Sequence, residues 1–304
     1  MIDSCPICHR PESKTTCTVS YGKEDYLIVQ CGNCSHYYSK FDITQINSAS
    51  LYNDEVYQVI DNRDSVYSKI MDYEYGQVLK TVRKWYPQRS RILDFGSGKG
   101  NFLFLAKKFG FDVFGVETAR ERAEFARQKF NLDISQEMYT AGKIKESSFD
   151  VITLFHVLEH LPDPKEILSN LIKDNLNDNG LLILEVPNFS SLQSSIAKNR
   201  WMHLDIPRHL SHFTDIRLVE FAKELNFKVV KKEYFSLHLG VMGMCHSILS
   251  LFGYRGKIIK DLKHYNPKLV FGLLLILPFA FVLEFFSSGF NKGGVIRLYC
   301  RKDV

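Results

Sequence analysis

Ile92-Leu-Asp-Phe-Gly-Ser-Gly-Lys-Gly-Asn-Phe-Leu-Phe-Leu-Ala106, followed by Asp112-Val-Phe-Gly-Val-Glu117, is the stretch on which the fold turns. A short apolar strand (Arg91–Phe95) runs into a turn carrying Gly96, Gly98 and Gly100. A helix follows over Asn101–Phe109, then a second strand that ends in Glu117. Glycine lets a backbone turn tightly and approach a ligand closely. An acid about twenty residues beyond such a turn can accept hydrogen bonds from a ribose diol. Asn101 stands where a dinucleotide fingerprint needs its third glycine. Lys99 is followed by Gly100 rather than Ser or Thr, so the phosphate-cradling pattern fails as well. Asp94, two residues before the first glycine, places an anion at the strand end. That suits a cofactor with cationic groups better than a pyrophosphate. The plainer alternative is a tight strand–helix turn in some other α/β domain.

An acid followed by G-x-G-x-G resembles the first motif of the class I S-adenosylmethionine-dependent methyltransferases. The resemblance implies that Asp94, Gly96, Ser97, Gly98 and Gly100 shape the methionine side of a cofactor site. Glu117 would hold the ribose hydroxyls, and Phe155 and His156 would lie near the adenine or the sulfonium. The rest of the chain alternates in the same manner. Helices are expected over Val66–Trp85, Ala119–Phe130, Pro164–Leu176 (closed by Asn179-Gly180) and Asp215–Leu225, the last capped by Thr214. Strands are expected over Asp133–Ser135, Phe149–Phe155, Leu181–Val186, Phe227–Phe235 and Val295–Arg301. The expectation is an α/β, doubly wound Rossmann-like methyltransferase sheet, mostly parallel with the last strand antiparallel. Ligands on such sheets bind outside the carboxyl ends of the strands.

Seven cysteines include Cys5-x-x-Cys8 and Cys31-x-x-Cys34. The opening Met1-Ile-Asp-Ser-Cys5-Pro6 has neither the basic nor the apolar region of a secretory leader, so a cytoplasmic location is expected. In that setting paired C-x-x-C units read as a zinc site rather than as disulfides. Four thiolates close a tetrahedral shell, so Zn2+ there would be structural. The alternative is four unliganded buried cysteines. His9 and His36 adjoin the pairs as bystanders, and Cys17, Cys245 and Cys300 read as small core residues. The expected organisation is a zinc ribbon over 1–40, a polar connector over 41–65 and a methyltransferase domain over 66–304.

Two further clusters carry polar chemistry. Phe155-His156-Val-Leu-Glu159-His160-Leu-Pro-Asp163-Pro164 resembles the E-x-x-E-H-x-P-D-P motif of the ubiquinone-biosynthesis O-methyltransferases. Members of that group can hold a divalent ion there. Here His156 replaces the first acid, leaving a His156/Glu159/His160 set that favours a softer ion than Mg2+, or none. Bracing of the loop by Glu159 and His160 is the plainer reading. Trp201-Met-His203-Leu-Asp205-Ile-Pro207-Arg208-His209-Leu-Ser-His212-Phe-Thr214 resembles a P-x-H-x-x-x-F-T segment of the same group. Methyl transfer to a high-pKa oxygen gains from a base, and neutral histidine suits it. His209 is the first candidate, His212 the second and His156 the third. The alternative is that His209 and Phe213 lock the loop onto the sheet.

Residues 239–290 are too long for a simple connection and read as an apolar helical insertion before the last strand. Leu269–Leu283 is an unbroken apolar run apart from Gly272 and Pro278, preceded by Lys257, Lys260, Lys263 and Lys268. A bilayer span needs ~20 apolar residues, and Pro278 would kink a helix. Three readings compete: a helix packed in the core or in a homodimer, a peripheral membrane element over 269–286, and a true span. The 304-residue chain has 39 Lys and Arg against 34 Asp and Glu, and its net charge of +5 does not point to nucleic acid. The expected function is S-adenosylmethionine-dependent methylation of a small-molecule, sugar, glycan or lipid-linked acceptor, by O-methylation with a His base. RNA methylation and a non-catalytic cofactor-binding scaffold are the rivals.

Overall fold

The computed structural model describes residues 4–21, 24–40, 65–87, 89–146, 148–256, 258, 261 and 267–302. The expected connector therefore lies, apart from Ser65, outside the described residues, as do Lys257, Lys260 and Lys263.

Seven strands form the main sheet: β4 (Arg91–Phe95), β5 (Asp112–Val116), β6 (Asp133–Ser135), β7 (Phe149–Phe155), β8 (Leu176–Pro187), β10 (Phe227–Glu233) and β11 (Val295–Lys302). Their spatial order is β10-β11-β8-β7-β4-β5-β6. β11 is antiparallel to both of its neighbours, while β8-β7-β4-β5-β6 are parallel. This is the doubly wound sheet with a reversed last strand that the sequence predicts.

The layers follow from side-chain alternation along buried strands. Ile92, Val151, Leu181 and Ile183 face one core. That core also takes Val78, Leu79 and Val82 of α1 (Val66–Trp85), Phe102, Leu103 and Ala106 of α2 (Asn101–Lys108), and Ala123 and Ala126 of α3 (Arg120–Phe130). Their neighbours Leu93, Ile152, Leu182 and Leu184 face the other core, with Leu168 and Leu171 of α4 (Pro164–Asn175) and Leu218 and Phe221 of α6 (Asp215–Glu224). Caps match local chemistry. Ser65 accepts from the Ser68 N–H, Asp163 from Glu166 and Thr214 from Arg217. Pro164 opens α4, where a missing N–H costs nothing.

One expectation is corrected. Asn179-Gly180 does not close α4. The helix ends at Asn175 and β8 begins at Leu176, with Gly180 inside the strand and without positive φ. The helix ends at an extended Leu176 (φ −96°, ψ 131°), whose N–H bonds the Ile172 carbonyl, so no left-handed glycine is needed. Buried Asn175 ties the end to the 142–144 loop through the Gly142 carbonyl (3.0 Å) and the Ile144 N–H (2.8 Å).

The cysteine-bearing segment forms β1 (Ser13–Tyr21), β2 (Glu24–Cys31) and β3 (Tyr37–Lys40), an antiparallel sheet. Its fourth strand, β9 (Ser211–His212), comes from the histidine-rich loop. Cys5, Ile7, Val29 and Tyr38 join the main core beside Phe213. Tyr26 and Ile28 pack against Trp201, Leu204 and Ile206 on the opposite face.

Between β10 and β11 lie a π-helical turn (Leu237–Val241), α7 (Met242–Leu251) and α8 (Pro267–Gly289). α5 (Leu192–Ala197) packs against α7 and α8. α8 is one helix running through Pro278, and it is not a core element: only 17% of its apolar window is buried.

Candidate active site

The glycine turn sits at the carboxyl end of the central strand β4. Gly96, Gly98 and Gly100 have φ of +77°, +54° and +75°. They serve different ends. A Cβ on Gly96 would lie 2.3 Å from Val157 Cγ2, and one on Gly100 2.6 Å from Leu132 Cδ1. These two glycines allow close packing. A Cβ on Gly98 would meet nothing within 4 Å. There the backbone faces open space.

Two acids frame the turn. Glu117 accepts from the Gly98 N–H (2.7 Å) and the Ala119 N–H (2.8 Å). Asp94 accepts from the Thr153 hydroxyl at 2.6 Å. Burial raises its pKa to about 7, and the charge of Glu117 adds to the rise. Ser97 Oγ is buried and has no hydrogen-bond partner among the described residues. A left-handed glycine opening onto space, two carboxylates and an orphan hydroxyl fit a ligand with donor hydroxyls and a cation. S-adenosylmethionine has both. Phe155, at the end of β7, packs against Phe102 (4.9 Å) and Tyr75 (5.6 Å) beside the turn.

His156 ends β7 with φ +55°. Its Nε2 meets Glu185 Oε1 at 2.9 Å and its Nδ1 lies 3.5 Å from Glu159 Oε1. Burial opposes its charge, yet the hydrogen bonds and charges of Glu159 and Glu185 outweigh that and raise its pKa to about 10. The side chain is therefore a cation at neutral pH, with no lone pair for a proton. Arg297 Nε donates to Glu185 in turn, and its Nη1 donates to Glu233 at 2.8 Å. Glu185 and Arg297 went unnoticed in the sequence. Their visible sign is a single charge inside an otherwise apolar strand, Leu181–Val186 and Val295–Cys300, and the two are direct register partners.

The third group lies on the other side of Glu159. That carboxylate is buried, and His156 Nδ1 at 3.5 Å is its nearest charged contact. Burial pushes its pKa up, but the surrounding imidazoles prevail and hold it at about 2. His209 Nε2 stands 3.8 Å away. His160 and His209 are stacked edge to face at 4.7 Å. Each turns its Nδ1 to a backbone carbonyl, His160 to Arg208 (3.0 Å) and His209 to His203 (2.8 Å). A carbonyl can only accept, so each Nδ1 carries a proton. Burial, with the charge of His209, lowers the His160 pKa to about 4 and leaves its Nε2 lone pair free. Glu159, His160 and His209 offer ligand atoms within 4.8 Å of one another. Glu159 thus stands between His156 on one side and His160 and His209 on the other, while His156 also reaches Glu185.

The remaining histidines of the loop are elsewhere. His212 Nε2 contacts Ser39 Oγ (2.9 Å), and burial brings its pKa to about 3. His203 Nε2 contacts the Leu239 carbonyl (3.3 Å) and is likewise held at about 3 by burial. Another buried pair went unread in the sequence: His238 Nδ1 bonds Glu74, which also accepts from Ser236 Oγ (3.2 Å).

The four paired cysteines converge. Cys5 and Cys34 sulfurs are 3.5 Å apart, as are those of Cys8 and Cys31, and all four lie within 4.8 Å. A tetrahedral zinc with bonds of about 2.3 Å needs sulfur–sulfur edges of roughly 3.8 Å. The cluster fits that ion, and the separations are far too long for a disulfide.

A search of protein families matches residues 67–232, more than half of the chain, to the methyltransferase-domain family. Among curated proteins, a ubiquinone biosynthesis O-methyltransferase of Neisseria meningitidis is 29% identical over 145 residues, covering 40% of this chain and 61% of the relative. The mitochondrial ubiquinone biosynthesis O-methyltransferase of Schizosaccharomyces pombe is 31% identical over 101 residues, covering 31% and 36%. The chain thus spans less than two thirds of these relatives. A crystal structure of a provisionally named sarcosine dimethylglycine methyltransferase from Galdieria sulphuraria superposes with TM-score 0.50 at 16% identity, covering 77% of this chain and 86% of that one. That likeness concerns the fold.

Proposed function

The chain belongs to the methyltransferase-domain family, and from that membership we propose that it transfers a methyl group from S-adenosylmethionine to an oxygen acceptor. The acceptor class we favour is a sugar, a glycan precursor or a lipid-linked small molecule. The observation that carries the cofactor assignment is Gly98, left-handed and facing open space between Asp94 and Glu117. S-adenosylmethionine would supply an electrophilic methyl on a sulfonium. Glu117 would exchange its bonds to the loop for the ribose hydroxyls, and Asp94 would face the cationic methionine end.

In the acceptor half, His209 Nε2 is the proposed base. During methyl transfer Nε2 would accept the proton of the attacking acceptor hydroxyl. Hydrogen bonding of Nδ1 to the His203 carbonyl holds the ring in the tautomer this requires. Cys5, Cys8, Cys31 and Cys34 would hold a structural Zn2+ that keeps β1–β3 against the histidine loop.

Calorimetry with S-adenosylmethionine, and transfer of a labelled methyl group into a cell extract, test the activity. No cofactor binding would sink it. His209→Ala should cut turnover by ~10²-fold or more with cofactor affinity unchanged, and normal turnover would reject the base.

A second reading has its own support. A buried carboxylate beside two tethered imidazoles is also a donor set for a divalent transition metal. An ion held by Glu159, His160 and His209 would acidify and orient the acceptor hydroxyl. Activity lost to a chelator and restored by one divalent metal would favour it over the base.

A further inference from the structure

Helix α8 presents two unlike faces. Leu269, Leu273, Ile276, Ala280, Glu284 and Ser287 recur every three or four residues and form the inward stripe. Leu273, Ile276 and Ala280 pack with Val241, Met244 and Cys245. Glu284 accepts from Gln193 Nε2 (3.0 Å) and from the Gly294 N–H (2.7 Å), and Ser288 Oγ donates to the Tyr234 carbonyl (3.2 Å). The opposite face holds no charged side chain among the described residues. Phe271, Leu274, Leu275, Phe279, Phe285 and Phe286 are each more than half exposed there. Leu251 and Phe252, at the end of α7, are exposed as well. A helix on the surface of a water-soluble domain normally turns polar residues outward. Among the described residues this one is apolar on its uncovered side, and a large contiguous apolar surface marks an interaction site.

We infer that the outer face of α8, with the tip of α7, docks on an anionic lipid bilayer and lies in its surface plane. The inward contacts run from Leu269 to Ser288, so the whole length of α8 is tied to one side of the domain. β11 begins at Val295, directly after it, and enters the interior of the sheet. Crossing the bilayer would strip those contacts, whereas lying flat keeps them. Charge selects lipid over a second copy of the chain. Within residues 252–292 the bases are Arg255, Lys257, Lys260, Lys263, Lys268 and Lys292, and the acids are Asp261 and Glu284. Glu284 is buried and bonded as above, and Asp261 accepts from the Tyr254 hydroxyl at 2.6 Å. Lysine is depleted in protein–protein interfaces. Beside an apolar insertion, basic clusters attract acidic headgroups. The inference does not depend on the catalytic reading.

Flotation of the full chain with vesicles tests it. The protein should rise with phosphatidylcholine vesicles containing phosphatidylglycerol, rise less at high salt, and bind phosphatidylcholine alone weakly. Replacing Phe279→Ser and Phe286→Ser together should lower the bound fraction by about tenfold or more, with unchanged thermal midpoint and S-adenosylmethionine affinity. If those substitutions prevent folding, the vesicle series on the unaltered chain decides alone. Wild-type protein left behind by both kinds of vesicle would overturn the inference. So would a dimer in sedimentation that the two substitutions dissociate without any vesicle binding.

Discussion

Replacing Gly98→Ala separates a cofactor cradle from a mere tight turn. Position 98 has φ +54°, and its new Cβ would meet nothing within 4 Å. The folded state therefore bears only the left-handed penalty, about 1–2 kcal/mol. For a domain of this size that lowers the thermal midpoint by a few degrees, at ~2–4 °C per kcal/mol. The methyl group would project into the space assigned to the cofactor. Loss of close approach should weaken S-adenosylmethionine by at least about tenfold, or ~1.4 kcal/mol. Gly96→Ala makes the contrast. Its Cβ would fall 2.3 Å from Val157 Cγ2, so overpacking of ~1–3 kcal/mol adds to the same backbone penalty. The expected pattern is a modest midpoint loss with a large affinity loss at 98, and a larger midpoint loss at 96. Scanning fluorimetry and isothermal calorimetry at one pH read both quantities. Wild-type affinity in a folded Gly98→Ala protein would refute the assignment of the open space to the cofactor.

Cofactor affinity should also depend on pH through Asp94. Its pKa of about 7 in the ligand-free fold means that it is half protonated at neutrality. A cationic ligand favours the carboxylate, so binding should strengthen as pH rises from 6 toward 8 by the order of tenfold at most, about one pKa unit of linkage. Asp94→Asn should flatten that rise, and an unchanged pH slope would remove Asp94 from the cofactor's reach. Chelation of the cysteine cluster should lower the thermal midpoint by several degrees, because Cys5 and Cys31 share a core with Phe213. It should also depress turnover more than cofactor affinity, since β9 carries His212 and adjoins His209. Loss of both in equal measure would mean general unfolding.

The chain reveals most where structure is set by near neighbours. The strand–turn–helix from Arg91, the run Phe149–Phe155, the Thr214 cap and the two C-x-x-C turns are each decided within a few residues by backbone freedom, side-chain alternation and capping. Such patterns identify the sheet, the glycine turn and the cysteine cluster directly. Pairing across the sheet is different. Glu185 finds Arg297, and Glu159 stands among histidines from two loops, only once β7, β8 and β11 lie side by side. Histidine spacing alone put His156 beside Glu159 and His160. Folding keeps His156 beside Glu159 and adds Glu185 to the one and His209 to the other, because burial drives each carboxylate toward compensating charge. The apolar run in α8 was equally visible and equally ambiguous. Composition cannot say which face of a helix a domain will cover; packing against α5 and α7 covers one stripe and leaves the other exposed among the described residues.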